Sequence, residues 1–350
     1  MIPISVCIIT KNEAENLKKC LESLQPYPFE IVVVDTGSTD NSVELAKQYT
    51  DHVYQFVWID DFAAARNFAA QCASNDLLFP IDTDEILTEF DWEQLQSIVT
   101  AHPKSVGHVK RLDYFETDAG LKCYDVMIER LYDRRYYQFQ GTIHEALVPI
   151  ADIPYTSYET TIVIDHAGYL GNAEKLREKA ERNLALLEKE IAKNPNDPYP
   201  YFQTAQSYLL MRDKDRACTY FQAAIERNPS PQADYTRMLV NNYGHCLLDL
   251  DRPGEAVSLL SYYEHYDDCM DYLCMIGLVY MMIGQPLRAL PEFVKAISAP
   301  VRDSIDPRSP SYYVGYLYEF FGKEDIARTH YQNCGDYAPA VEALKRLNDI

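Results

Sequence analysis

The chain has 350 residues, 47% hydrophobic and 24% charged, with a formal net charge of -21. That balance supports more than one globular core, while a field of that sign repels phosphate backbones and anionic lipid and so disfavours nucleic-acid and membrane-surface roles. No apolar run approaches the roughly 20 residues that span a bilayer. The nine scattered cysteines include no Cys-x-x-Cys pair, which predicts a reduced, cytoplasmic chain using cysteine as a small core residue.

Residues 4–10 form a short continuous apolar run of the kind buried on both faces of a sheet, and this start lacks the basic flank of a signal peptide. Leu17, Leu21 and Leu24 then repeat at helical spacing, and Pro26 and Pro28 end the helix. A second buried strand covers 31–34, followed by Asp35-Thr36-Gly37-Ser38 and a helix over 40–49 with Thr39 or Asp40 as its cap. A strand over 53–58, an alanine-rich helix over 62–72 and a strand over 77–81 follow, the last running into Asp82-Thr83-Asp84-Glu85. This alternation predicts a parallel sheet with crossover helices, and ligands of such sheets sit beyond the carboxyl ends of the strands. Three polar clusters fall there: Thr10 to Glu13, Asp35 to Ser38, and Asp82 to Asp84. Over 106–164 strand-like stretches dominate, at 106–115, 127–132, 138–148 and 160–164, which predicts antiparallel pairing that closes or extends the sheet.

Asp82 and Asp84 place two carboxylates directly after a buried strand. A hard divalent cation wants such oxygens and shares its shell with phosphates. Short acidic turns are common, so the pair gains its meaning from the two other clusters on the same edge. Together with Ile8-Ile9-Thr10-Lys11-Asn12-Glu13, Val34-Asp35-Thr36-Gly37-Ser38-Thr39-Asp40 and Phe62-Ala63-Ala64-Ala65-Arg66-Asn67, the Asp82-Thr83-Asp84-Glu85 segment resembles glycosyltransferase family 2, whose fold is GT-A. The resemblance covers residues 4–87. It implies that Thr10, Glu13 and Asp35 lie against the nucleoside of a UDP-sugar and that Arg66 and Asn67 face its diphosphate; Ser38 is a further candidate for binding the nucleotide sugar. It also implies that Asp82 and Asp84 hold the sugar diphosphate through magnesium or manganese. Family members often carry two acidic residues where this chain has Asp35-Thr36. For Arg66 the alternative is a surface salt bridge.

Gln140-Gly141-Thr142-Ile143-His144-Glu145, with the preceding Glu129-Arg130-Leu131-Tyr132, fits the subgroup containing lipopolysaccharide-core glucosyltransferases and peptide S-glycosyltransferases of glycocin biosynthesis. Inverting transfer needs a general base for the acceptor proton. Glu145 is the best match, and His144 either orients it or is itself the base. His166 either completes the metal shell beside Asp84, as the resemblance implies, or is a structural histidine.

From 172 the periodicity is helical. A charged helix over 173–193 precedes Tyr201, Ala205, Tyr208, Ala217, Phe221, Ala224 and Pro229, which fit the tetratricopeptide pattern. Weaker or spaced copies follow around Ala256, Ala289 and Ala327, with insertions near Pro231 and over 303–310. The expected architecture is α/β: a GT-A domain (1–170), a linking helix (171–196) and an all-α repeat superhelix (197–350). Repeat arrays bind peptides or assemble subunits, homodimers included, so the expected acceptor is a peptide or protein at Ser, Thr or Cys. Tyr262, Tyr263, Tyr266 and Tyr272 are candidates for its surface. The alternatives are a transferase acting on lipopolysaccharide or another cell-envelope glycan, and a non-catalytic repeat scaffold.

Overall fold

The computed structural model describes residues 2–117, 120–166, 173–301 and 305–348. The chain divides into two compact units, Met1–Lys179 and Ala180–Ile350. The boundary expected between 170 and 171 lies outside the described residues.

The first unit contains β1 (Ile4–Thr10), α1 (Ala14–Leu24), β2 (Glu30–Asp35), α2 (Ser42–Ala46), β3 (Val53–Gln55), α3 (Phe62–Cys72), β4 (Leu77–Pro80), β5 (Glu85–Glu89), α4 (Trp92–Ala101), β6 (Val106–Thr117), β7 (Gly120–Asp133), β8 (Tyr137–Gln140), β9 (Ala146–Pro149) and β10 (Ser157–His166). Among the described residues an eight-stranded mixed sheet runs β3-β2-β1-β4-β7-β6-β10-β5. β1 is parallel to β2 and β4, as the alternation predicts. Thr10 pairs in register with Asp35, so the first two polar clusters leave the sheet side by side. Val6, Ile8, Val33 and Phe79 are fully buried in the core between sheet and helices. Asp61 caps α3 through the Ala64 N–H at 2.8 Å. Buried Ala63, Ala65, Ala69 and Ala70 let that helix lie close on the sheet.

Two expectations change, and two elements are added. β6 and β7 are antiparallel, but β10 runs parallel to β6, because the intervening chain crosses back through β7, β8 and β9. The strand expected over 138–148 is a hairpin: left-handed backbone at Gly141 (φ 108°) and His144 (φ 52°) breaks it into β8 and β9. β5 and α4, which the apolar pattern did not separate from the acidic turn, follow directly after it.

Helix α5 (Ala173–Lys193) crosses the division between the units. The second unit continues with α6 (Pro198–Leu210), α7 (Lys214–Ile225), α8 (Thr236–Asp249), α9 (Pro253–Ala256), α10 (Tyr263–Tyr266), α11 (Met270–Met282), α12 (Pro286–Ala296), α13 (Ser309–Phe320), α14 (Glu324–Asn333) and α15 (Ala338–Asn348). The pairs α6/α7, α11/α12 and α13/α14 are the repeat units. In the expected weak second copy, a 3-10 turn over Val257–Tyr262 interrupts the second helix. Part of the insertion expected over 303–310 lies outside the described residues. Gly277 shows why the repeat needs a small residue: a Cβ there would meet the Phe293 ring at 2.6 Å. Tyr262, Tyr266 and Tyr272 are buried, so they are core residues and not an exposed acceptor surface. Two of the hydroxyls are taken up by the backbone, Tyr272 donating to the Leu259 carbonyl at 2.8 Å and Tyr266 to that of Pro231 at 2.8 Å. Among the described residues no helix is long and apolar enough to cross a membrane.

Candidate active site

The carboxyl ends of β1 and β2 are knitted together by short polar side chains. Asp35 is buried and accepts from the Gly37 and Ser38 N–H groups, both at 3.1 Å. Ser38 accepts from the Asn12 N–H at 2.9 Å, and Asn12 accepts from the Thr39 N–H at 2.7 Å. Glu13 accepts from Asn16 at 2.7 Å. Thr10 is buried, and its hydroxyl has no hydrogen-bond partner among the described residues. Thr10, Glu13, Asp35 and Ser38 therefore share one edge, where the turn geometry fixes the carboxylate of Asp35.

Beside this edge, Arg66 joins two chemistries. Its Nη2 donates to Asp82 Oδ1 at 2.8 Å and its Nε to Glu145 Oε1 at 2.5 Å. The guanidinium also lies 5.4 Å from the centre of the Phe139 ring. Arg66 is buried, and its Nη1 has no partner among the described residues. Asn67 is placed differently: its amide donates to the Phe139 carbonyl at 2.8 Å and accepts from the Phe139 N–H at 3.0 Å. Both ends of the side chain thus pin α3 to β8.

The ion pairs continue past Asp82. Arg130, on β7, donates to Asp82 Oδ2 at 2.8 Å and to Glu85 Oε1 at 3.0 Å. Glu85 is fully buried, and its Oε2 accepts the Asp82 N–H at 2.9 Å. Arg111 reaches Glu85 at 3.6 Å and Asp113 at 2.8 Å. His166 Nδ1 bonds Asp113 at 2.7 Å, and its Nε2 stands 3.4 Å from Asp84 Oδ2. Lys179 approaches the same oxygen at 3.9 Å. Carboxylates of Glu145, Asp82, Glu85, Asp113 and Asp84 thus alternate with Arg66, Arg130, Arg111, His166 and Lys179 in one connected chain. Buried charges are retained only when paired in this manner.

The titration directions follow from these partners. Burial alone raises the Asp82 carboxyl, but the Arg66 and Arg130 guanidiniums outweigh it and hold the group well below the usual carboxylate range. Burial also raises Asp84, and the His166 and Lys179 cations bring it below its ordinary value against the repulsion of Asp82. Burial lowers His166, yet its bonds to Asp113 and Asp84 push it up to about 9, so it is an imidazolium at neutral pH. His144 is exposed on the β8–β9 turn; the protein mass around it lowers its imidazole against the pull of Glu145, leaving it neutral near pH 7.

A divalent cation would find Asp84 and His166 close together; it would displace the long bond of His166 and the Lys179 contact at Asp84, and His166 would have to give up its Nε2 proton to serve as a ligand. The donor set of a carboxylate and an imidazole fits such an ion when diphosphate oxygens supply further ligands. Asp82 fits less well, since both of its oxygens are bonded to arginine. Among the described residues no group of three or more His, Cys, Asp or Glu side chains is arranged as a metal cage.

Arg130 and Glu85, although within quoted motifs, carry no role in the sequence reading. Their signal lies in a run of consecutive buried positions: Arg130 directly precedes buried Leu131 and Tyr132 where the β6–β7 register shifts, and a charged residue held in such a run demands a buried partner.

Residues 5–148 match the family model described as Glycosyl transferase family 2, and residues 201–231 match Tetratricopeptide repeat. A TPR repeat-containing protein of Synechococcus elongatus is 27% identical over 83% of this chain and 76% of its own. The SPbeta prophage-derived glycosyltransferase SunS of Bacillus subtilis is 25% identical over 69% of this chain. The lipopolysaccharide core biosynthesis glycosyltransferase LpsC of Rhizobium meliloti is 31% identical over 43% of it. The matches span only 54% of SunS and 59% of LpsC.

Proposed function

We propose that this chain, in which residues 5–148 match Glycosyl transferase family 2 and residues 201–231 match a tetratricopeptide repeat, is an inverting, metal-dependent glycosyltransferase. The donor is a UDP-hexose or UDP-N-acetylhexosamine, and the acceptor is a peptide or protein at Ser, Thr or Cys. The observation that carries the reading is Arg66, which ties the Asp82 turn to Glu145 beside the carboxyl ends of the parallel strands.

The nucleoside rests on the edge formed by Thr10, Glu13, Asp35 and Ser38, with the orphaned Thr10 hydroxyl supplying a hydrogen bond. Arg66 turns its unpartnered Nη1 toward the diphosphate. Asp84 would hold the cation, with His166 joining it on losing its proton, and the cation's charge would make the nucleoside diphosphate a better leaving group. Glu145 takes the acceptor proton as the acceptor oxygen or sulfur attacks the anomeric carbon, and Arg66 fixes the carboxylate for that transfer. His144, neutral and exposed next in sequence, is the second candidate base. Asn67 acts through the backbone it pins. The free state of all nine cysteines suits a reducing cytoplasm.

Similarity to LpsC favours a second reading of the acceptor as a cell-envelope glycan. Thermal shift with nucleoside diphosphates and their sugars, with and without manganese, tests the donor. A manganese-dependent rise with a uridine diphosphate sugar is expected. No shift with any nucleotide would leave a non-catalytic repeat scaffold. Transfer to peptide or to lipid-linked glycan then separates the two acceptors.

A further inference from the structure

The two carboxylates of the Asp-x-Asp turn are treated very differently by the protein around them. Both oxygens of Asp82 are bonded at 2.8 Å, one to Arg66 from α3 and the other to Arg130 from β7. Asp84 faces His166 through one long hydrogen bond of 3.4 Å, and Lys179 stands at 3.9 Å, beyond hydrogen-bond length. Arg130 is itself anchored. Glu85 binds its Nη2 at 3.0 Å and holds the Asp82 backbone N–H at 2.9 Å, so one buried carboxylate fixes both the clamp and the residue it grips.

We propose that Arg130 is a positioning residue that, together with Arg66, clamps Asp82 out of the cation's reach, so that the donor-side metal is held at Asp84 and Asp82 serves as counter-charge to the two guanidiniums. This rests on the metal-dependent reading above. A cation entering the shell of Asp82 must displace a charge-assisted hydrogen bond and stand beside the two guanidiniums. At Asp84 it displaces one long hydrogen bond to His166 and the more distant Lys179 contact, and no guanidinium. The clamp also keeps the two guanidiniums at the strand edge with donors in hand, since Arg66 Nη1 and Arg130 Nε have no partner among the described residues.

The experiment is a manganese titration of the full chain without nucleotide, followed by the electron paramagnetic resonance of the free ion. Arg130→Gln frees Asp82 Oδ2 and is expected to tighten manganese binding by roughly tenfold, the worth of one charged hydrogen bond. Arg130→Lys, which keeps the charge, stays near wild type. Asp82→Asn leaves the wild-type affinity within about threefold, yet abolishes the gain when combined with Arg130→Gln, a coupling that generalised loosening would not produce. Arg130→Gln without tightening, or Asp82→Asn with manganese binding lost, overturns the clamp. Should Arg130→Gln not fold, as read by circular dichroism, Asp82→Asn alone decides. A wild-type chain that binds no manganese, even with uridine diphosphate present, overturns the metal reading and the clamp together; a wild type that binds while the variants fail the pattern overturns the clamp alone.

Discussion

Arg66 Nε stands 2.5 Å from the Glu145 carboxylate, although 79 residues separate them in the chain. The contact is possible because α3 and the β8–β9 turn are fastened to each other twice more, by Asn67 on the Phe139 backbone and by the Phe62 N–H on the Thr142 carbonyl at 2.9 Å. The candidate base is thereby carried on a turn whose position the donor-side helix dictates.

Glu145→Gln is expected to leave the manganese-dependent thermal shift with donor nearly intact and to lower transfer by roughly 10²–10⁴, the usual worth of a general base. Radiolabelled transfer at saturating donor, set against the thermal shift, separates the two effects. Full activity in this variant would move the role to His144, and His144→Asn would then show the loss.

Removing the cation from the cluster has a structural consequence as well. Arg66→Met leaves Asp82 and Glu145 without the guanidinium between them. Breaking a buried pair costs about 3–5 kcal/mol, and the partial exposure of Asp82 (31%) reduces that to about 2–3 kcal/mol. Chemical unfolding of the variant should show this loss, and Arg66→Lys should recover only part of it, because lysine cannot reach both carboxylates with a rigid fork.

The order of strands and helices up to the Asp82 turn was legible because each element is a short apolar run or a helical repeat bounded by Gly, Pro or acidic residues. The shared edge of Thr10, Glu13, Asp35 and Ser38 followed from that order alone. The chain of ion pairs did not. Arg130 lies 48 residues from Asp82 and 45 from Glu85, and no local spacing encodes such partners. The β8–β9 turn was hidden for another reason: its left-handed residues Gly141 and His144 interrupt no apolar pattern. The tyrosines near 262–272 misled because a phenol suits either surface or core, provided its hydroxyl finds an acceptor.

Glu30 supplies a pH-dependent part of the first unit's stability. Its Oε2 accepts from the Ser5 hydroxyl and from the Ser74 N–H at 2.8 Å, joining β1, β2 and the turn before β4. Burial raises this carboxyl, but the Ser5 and Ser74 bonds outweigh it and leave the group below its ordinary value of 4.5. A carboxyl lowered by folding stabilises the protein fully above its unfolded value and loses that contribution as pH falls through the folded one. Wild type should therefore lose its advantage over Glu30→Gln below about pH 4.5. Thermal unfolding of both proteins between pH 3 and 7 checks this, and curves that stay parallel across that range would refute it.

In the second unit the close approach of α11 and α12 sets a steric limit. A methyl group at Gly277 would fall 2.6 Å from Phe293 Cζ and 2.7 Å from Cε1, on a ring that is itself fully buried and stacked against Tyr313 at 4.8 Å. The ring cannot retreat without disturbing α13, so the helices must part. Gly277→Ala should gain about 1 kcal/mol in helix propensity and lose about 1–3 kcal/mol to overpacking. A net destabilisation is expected, rescued by Phe293→Leu in the same chain, which removes the ring carbons that the new methyl would strike. Stability equal to or above wild type for Gly277→Ala alone would mean that the repeat tolerates wider helix spacing at this pair.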